Sequence, residues 1–390
     1  MFAAMDERWI WGVDLSEVDA VRLKERVAGA VWSRTVMVVP IDQVAPHELE
    51  AAREHFGRWG TTYARAPGEA HRRNCVLRDR PDQKRLTINL ISHDNGVGLT
   101  QDVRLLRGLF EGQGHEVEFA EWRNATRQAD VNFHIELFDP KHLQTARSHV
   151  GLFNLEWFDK AQLSSLGSMS QLWAKSQEAL QIYERAGHGL WPAHYTGFLS
   201  RDVDRPQVAK ERTCIHVRGK ASQKNTILVF ETWRRHGDRL PRLIVTSADE
   251  CDGWRRTHPS AEMVFGYQTE EQLAVLMNRS RFHVCPSETE GWGHYIAEAL
   301  SCRSVVVTTD GSPMNEHVRP EHGALIGTHP WEAGLVMRHG FEPDALAEAI
   351  LALEAKDDAD LDEMGARARS HWEGRQADFQ ARALSLLSNL

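Results

Sequence analysis

Sulfur chemistry is scarce in this sequence. Its five cysteines, Cys75, Cys214, Cys251, Cys285 and Cys302, are scattered, and no C-x-x-C pair occurs among its 390 residues. That excludes zinc-ribbon and thioredoxin-like chemistry. An odd set of isolated thiols fits a reducing cytoplasm, the expected location. Long apolar runs are also missing. No stretch nears the ~18 apolar residues of a membrane-spanning helix. The opening MFAAMDERWIWGVDLSE carries acid early and has no apolar h-region, so no signal peptide is expected. Positive charge is not in excess either: 55 Asp and Glu stand against 46 Lys and Arg, a net charge of -9. Polyanion binders lean basic, so nucleic acid is not an expected partner.

What remains is a globular composition, with 42% hydrophobic and 26% charged residues. At ~150 residues per domain the length suggests two or three domains. Each is large enough to bury a core without a metal or a disulfide. The 13 tryptophans are mostly expected in core packing.

The chain divides by rhythm. Residues 1–85 form an amino-terminal extension that ends in a basic linker, with Arg65, Arg72, Arg73, Arg78, Arg80, Lys84 and Arg85 outnumbering the acids. Within it, AVRLKERVAGAVWS and HELEAAREHFGRWG have helical spacing and TVMVVPI reads as a strand. From Leu86 a strand–helix alternation starts. LTINLIS is a strand, LTQDVRLLRGLFEGQGH an amphipathic helix, and EVEFA, ADVNFHIELF, HVGLFNLEW and SQLWAKS are further strands. Such alternation predicts a parallel sheet with crossover helices. The polar segment RDVDRPQVAKER, broken by Pro206, reads as an interdomain hinge. The rhythm restarts after it with the strands TCIHVRG, RLIVTSA, FHVCPS and SVVVTT. The helices between and after them are NTILVFETWRRH, TEEQLAVLMNRS (with Thr269 as N-cap), HYIAEALSC and DALAEAILALEA. Two α/β domains are therefore expected, over 86–205 and 206–375, followed by a carboxyl-terminal helix over 376–390.

The most informative text is FHVCPSETEGWGHYIAEALSCRSVVVTTDGSPMNE, 282–316. A strand ends at Pro286 and Ser287. A glycine-flanked turn, Glu290-Gly291-Trp292-Gly293, leads into a helix that carries Glu298. Loop amides at a helix N-terminus favour an anion. Two carboxylates beside such a site suit the hydroxyl-rich ends of a molecule whose middle is the anion. A nucleotide sugar is such a molecule. A second constellation, HVRGKASQKNT, concentrates Arg218, Lys220 and Lys224 at the end of a strand, where open α/β sheets bind ligands.

The first of these segments resembles the E-x7-E region of retaining glycosyltransferases of the GT-B fold, close to glycosyltransferase family 4, with Trp292 where Phe is usual. PMNE at 313–316 is similar to a version found in bacterial and viral glycosyltransferases. The resemblance covers roughly 86–375 and implies two Rossmann-like domains facing across a cleft, the first for the acceptor and the second for the donor. It implies that Glu290 contacts the donor hexose and Glu298 the ribose. The amides of Gly291, Trp292 and Gly293 would approach the hexose and phosphates. Arg218 and Lys224 would neutralise the departing diphosphate, with Lys220 as a competitor. FGYQTEEQL resembles the family turn that touches the base, near Gly266 and Tyr267. In the amino-terminal half, the loop ISHDNGVGLTQD places Asn95, Gly96 and Gly98 toward the acceptor or phosphate. His134 and Glu156 would lie near the transferred sugar.

These expectations define a metal-independent hexosyltransferase with no cofactor, using a nucleotide-diphosphate sugar and an unidentified acceptor. A sugar-nucleotide epimerase or phosphorylase of the same fold, or a non-catalytic sugar-nucleotide scaffold, is the alternative. Asp202-Val203-Asp204 has the form of the D-x-D metal signature of another fold, but lies in the hinge text; DDADLDE lacks the calcium-loop spacing. His134-Ile135-Glu136, part of an iron triad in form, lies within the expected α/β domain. Residues 1–60 weakly resemble the leading segment of taurine-dioxygenase-like proteins, without the iron-binding barrel. The helix at 99–114 carries only Arg104 and Arg107 as cations, so peripheral membrane contact and oligomeric state stay open.

Overall fold

The computed structural model describes residues 85–390 apart from 97, 220–221 and 249–258, together with the backbone of four short strands near the start. Those are β1 (Ala4–Asp6), β2 (Trp9–Val13), β3 (Val31–Ser33) and β4 (Val36–Pro40), an antiparallel sheet in the order β1-β2-β4-β3. The basic linker, most of the expected helices before residue 60, and thus most of the dioxygenase-like text, lie outside the described residues.

The chain forms two compact units. Unit 1 comprises 1–174, 179–195 and 385–390; unit 2 comprises 175–178 and 196–384. Unit 1 is built on β5 (Thr87–Ser92), β6 (Glu116–Glu121), β7 (Ala129–Ile135), β8 (Ala146–Leu152), β9 (Gln171–Ala174) and β10 (Ala193–Tyr195). All pair in parallel in the order β10-β9-β8-β7-β5-β6. Helix α1 (Gly98–Gly112) buries Leu99, Asp102, Leu106 and Phe110, the 3.6-residue stripe that the sequence shows. Helix α2 is Gln177–Ala186.

Unit 2 repeats the plan. Its strands are β11 (Glu211–Gly219), β12 (Leu243–Ser247), β13 (Ala261–Phe265), β14 (Ser280–Cys285), β15 (Val305–Thr309) and β16 (Gly323–Ile326). They are parallel in the order β13-β12-β11-β14-β15-β16. β12, β14 and β15 are buried at every position, as expected of parallel strands covered on both faces. The helices are α3 (Thr226–His236), α4 (Glu270–Arg279), α5 (His294–Ser301), the single turn α6 (Met314–His317), α7 (Pro343–Glu354) and α8 (Asp358–Leu387). Thr269 caps α4 as expected, and Gln272 reciprocates in a capping box. An antiparallel hairpin, β17 (His329–Ala333) and β18 (Val336–Gly340), follows β16. The core of the sheet is Val229, Phe230, Trp233, Leu243, Phe282, Val305, Leu346 and their neighbours.

The segment read as a hinge is hydrogen-bonded along unit 2. Val203 N–H donates to Ser301 Oγ and Arg205 N–H to Asn278 Oδ1. Lys210 Nζ donates to Asn278 O and Ser304 Oγ. Arg369 grips both oxygens of Asp202, and Arg303 pairs with Asp204. The D-x-D carboxylates are thus engaged in ion pairs, and among the described residues no cluster of metal-ligating side chains occurs.

Candidate functional site: the carboxyl edge of the unit 2 sheet

Strand order decides where this site lies. From β11 the chain adds β12 and then β13 on one side; it then returns to add β14, β15 and β16 on the other. β11 and β14 are therefore neighbours whose following loops diverge, the topological switch point at which open α/β sheets bind ligands. The loop after β11 carries Lys224, with Arg218 on the strand's last turn of chain. The loop after β14 carries Glu290. Residues far apart in sequence thus share one sheet edge because all six strands point the same way.

The β14 loop is held from below. Ser287 is fully buried, and its Oγ donates to Glu290 Oε1 at 2.6 Å. The same Oγ lies 2.5 Å from the Tyr295 hydroxyl. Thr309 Oγ1 donates to Ser287 O, and Thr308 Oγ1 to Cys285 O, pinning the loop to β15. Asn225 Nδ2 donates to the carbonyls of Pro286 and His339, and Glu288 N–H to Gln223 O, pinning it to the β11 loop and to the hairpin. Gly293 begins α5 at φ 95°, and a Cβ there would press on Ile296 Cδ1 at 3.2 Å, so only glycine suits the turn.

Trp292 points inward. Its ring is 3% exposed, 4.4 Å from the His317 ring, with the Arg375 guanidinium 4.7 Å from its centroid. His317 Nε2 meets the Trp292 carbonyl at 2.6 Å. The indole is thus a support, and the backbone of 291–293 is the part that could meet a ligand. Glu298, 6% exposed, accepts from Arg201 Nε at 2.7 Å, and Arg201 also reaches Glu270 at 3.3 Å.

The cations are seated as well. Arg218 Nη1 donates to Ser247 Oγ at the end of β12, which fixes the guanidinium over the sheet edge. Lys224 Nζ donates to Val217 O at 3.0 Å and stands 3.7 Å from the Tyr295 ring centroid. Burial pulls the Lys224 pKa below the usual lysine range, and the charges of Glu290 and Glu298 partly offset this. Gly266 (φ 88°) and Tyr267, 87% exposed, follow β13 on the same edge. Lys220 lies outside the described residues.

The unit 1 residues are described by themselves. Gly96 (φ 68°) sits in an exposed turn, where its N–H donates to Thr100 Oγ1 at 2.8 Å and Thr100 in turn donates to Asp94. Asn95 and Gly98 flank it on the surface, and a Cβ at Gly96 or Gly98 would meet nothing. This loop follows β5, which with β7 forms the switch point of the unit 1 sheet. Glu156 is half-buried beyond β8. His134 is enclosed in the sheet: its Nε2 meets His149 Nδ1 at 3.2 Å, and burial lowers its pKa to about 3. That is the setting of a neutral interior histidine.

Sequence reasoning missed Ser287, Tyr295, Asn225, Ser247 and Arg201. Ser287 and Tyr295 had a weak local signal, polar atoms three and five residues from Glu290. Arg201 had none, lying 97 residues from Glu298.

The comparisons with known proteins can be set beside this geometry. Residues 261–371 match the family model for glycosyl transferases group 1, a segment that includes Gly266, Tyr267, Glu290 and Glu298. A search of curated proteins finds no match. Among solved structures, a sucrose-phosphate synthase from Thermosynechococcus elongatus superposes with a TM-score of 0.59 at 13% identity, over 78% of this chain and 98% of that one. An Anabaena protein, HepE, in complex with UDP and glucose gives 0.58 at 14% identity, over 78% and 100%. A glycosyltransferase from Rickettsia africae gives 0.60 at 10% identity, over 78% and 98%. At these identities the likeness carries the fold: two Rossmann-like α/β units of the GT-B type. The matched family segment supplies the class of chemistry, transfer of a glycosyl group.

Proposed function

We propose that the chain is a retaining glycosyltransferase that moves a hexose from a nucleoside-diphosphate sugar to an acceptor hydroxyl, without a metal ion or cofactor. The observation that carries this reading is the adjacency of β11 and β14, which sets Arg218 and Lys224 beside Glu290 on one sheet edge. Arg218 has N–H groups beyond the one given to Ser247, and Lys224 adds a second cation. Together they offset the charge that grows on the diphosphate as it leaves, a leading form of catalytic stabilisation. Glu290 takes hydroxyls of the hexose, and the backbone of Gly291, Trp292 and Gly293 lies along the phosphates. Glu298 keeps its second oxygen for the ribose, and Gly266 and Tyr267 meet the base. In a retaining transfer the bond from C1 to the phosphate oxygen breaks and the bond from C1 to the acceptor oxygen forms on the same face. The acceptor proton passes to the departing phosphate.

The complexes of the Anabaena protein with UDP and with UDP-glucose make UDP-glucose the first donor to try. In unit 1 the exposed Asn95, Gly96 and Gly98 suit backbone approach to an acceptor. Three buried free cysteines suit a cytoplasmic setting, and among the described residues no helix is long and apolar enough to cross a membrane.

The test is a thermal-shift panel of UDP-, GDP-, ADP- and TDP-sugars, followed by transfer assays with Glu290→Gln and Arg218→Ala. One donor at ~100 times its dissociation constant should stabilise the protein by about 2.7 kcal/mol. Both variants should lose transfer while melting close to wild type, and the product should keep the donor's anomeric configuration. Full transfer by either variant removes that residue from its role; an inverted product overturns retention.

A further inference from the structure

The loop that carries Glu290 is linked through one side chain to the lysine in the loop after the neighbouring strand. Tyr295, the second residue of α5, is 6% exposed. Its hydroxyl lies 2.5 Å from Ser287 Oγ, and Ser287 Oγ lies 2.6 Å from Glu290 Oε1. A carboxylate only accepts, so the single Ser287 proton points at Glu290. The Tyr295 hydroxyl must then be the donor to Ser287. The chain has one direction: Tyr295 to Ser287 to Glu290.

The ring of the same tyrosine meets the other functional group. Lys224 Nζ stands 3.7 Å from the ring centroid and is steadied there by Val217 O. An ammonium over a phenol ring is attracted by the ring's electron-rich face. It also draws density from the ring, which strengthens the hydroxyl as a donor, and donors and acceptors in series polarise one another.

We infer that Tyr295 is a positioning residue that couples the leaving-group lysine to the hexose-binding glutamate, an inference that rests on the function proposed above. Its hydroxyl, acting through Ser287, fixes Oε1 of Glu290 and so determines that Oε2 faces the donor. Its ring fixes the ammonium of Lys224. The two duties separate chemically. Phenylalanine keeps the ring and loses the hydroxyl; leucine loses both.

With UDP-glucose as probe, UDP release is followed in wild type, Tyr295→Phe, Ser287→Ala, the double variant, Tyr295→Leu and the control Glu290→Gln. Tyr295→Phe should lower kcat about 2- to 12-fold, the range for losing a hydrogen bond between neutral groups, with KM nearly unchanged. Ser287→Ala, which removes the bond to the Glu290 carboxylate itself, should lower it about 10- to 100-fold, and the double variant should fall no further than Ser287→Ala. Tyr295→Leu should also raise KM, because Lys224 loses its seat. Ser287→Ala keeps the tyrosine in place, so it tests the chain even where a Tyr295 variant folds poorly. Wild-type kcat in Tyr295→Phe, or losses that multiply in the double variant, would overturn the coupling. If Glu290→Gln is inactive while Tyr295→Phe matches wild type, the coupling alone falls. If Glu290→Gln is fully active, Glu290 loses its role and the coupling falls with it; if wild type neither binds nor cleaves any UDP-, GDP-, ADP- or TDP-sugar of the panel, the parent function falls and takes the coupling with it.

Discussion

Acidifying the medium from about pH 7.5 to about pH 5.5 should cost unit 2 about 3 kcal/mol of stability, through two histidines inside its sheet. His216, on β11, meets Val284 O through Nδ1 at 2.8 Å and Thr226 Oγ1 through Nε2 at 2.9 Å. His283, on β14, meets Met277 O through Nε2 at 2.8 Å. Burial lowers their pKa values from 6.5 to about 4 and about 3 respectively. The nearby cations act in the same direction, Lys224 and Arg218 on His216 and Lys210 on His283. The sign follows from proton counting. Below pH 6.5 the unfolded chain binds a proton at each site and the folded chain does not, so acid favours unfolding. The stabilisation is whole above 6.5 and is lost progressively as pH falls toward the folded values. One pH unit below 6.5, each histidine accounts for about 1.4 kcal/mol. For a unit of this size that corresponds to a fall in Tm of about 6–12 °C for the pair. Thermal melts at the two pH values measure this pair together with His317, His322, His339 and His371, whose pKa values burial also lowers, and His283→Gln isolates one share. Glutamine keeps a donor for Met277 O and cannot titrate. The variant's loss between the two pH values should be smaller than wild type's by about 1.4 kcal/mol. An equal loss in both proteins would refute the assignment of His283 as a neutral interior group.

The remaining predictions concern the site and its frame. Gly293→Ala should destabilise the protein by roughly 1–3 kcal/mol, because φ 95° is strained for any side chain and the new methyl meets Ile296; urea unfolding measures it, and a wild-type midpoint would show that the turn can relax. EDTA should leave glycosyl transfer unchanged, since Asp202 and Asp204 are engaged by Arg369 and Arg303. Activity lost to EDTA and restored by manganese would overturn the metal-independent mechanism.

The site was legible in proportion to how local it is. The Glu290–Glu298 segment is a strand, a glycine turn and a helix within residues 280–301, so hydrophobic runs and glycines outline it directly. The same holds for β5 through β9, β11, β12 and β15, whose β-branched and apolar runs read as strands and are strands. Among the elements not read from the sequence, which also include β10 and α2, the following have plain physical reasons. β13 (AEMVF) alternates and is partly exposed, so it lacks a buried run. β16 is only four residues long at the sheet edge. The β17–β18 hairpin turns on Gly334, and its first strand is mostly exposed.

Strand order is a different kind of information, because it depends on which strands pair and not on what any one strand contains. Without it, Arg218 and Glu290 are 72 positions apart and their relation has to be borrowed from a resemblance. With it, their place on one edge follows from a parallel sheet in which strands are added on one side of β11 up to β13 and on the other from β14 onward. The supporting residues show the same division. Tyr295 and Ser287 lie within the local motif, and only the fold of the turn brings their hydroxyls together. Arg201 reaches Glu298 because Val203 and Arg205 are lashed to α4 and α5, which makes the 201–205 segment part of the frame around the Glu298 carboxylate. A motif therefore names the groups that touch substrate, while the residues that aim them are set by long-range pairing and emerge only from the folded chain.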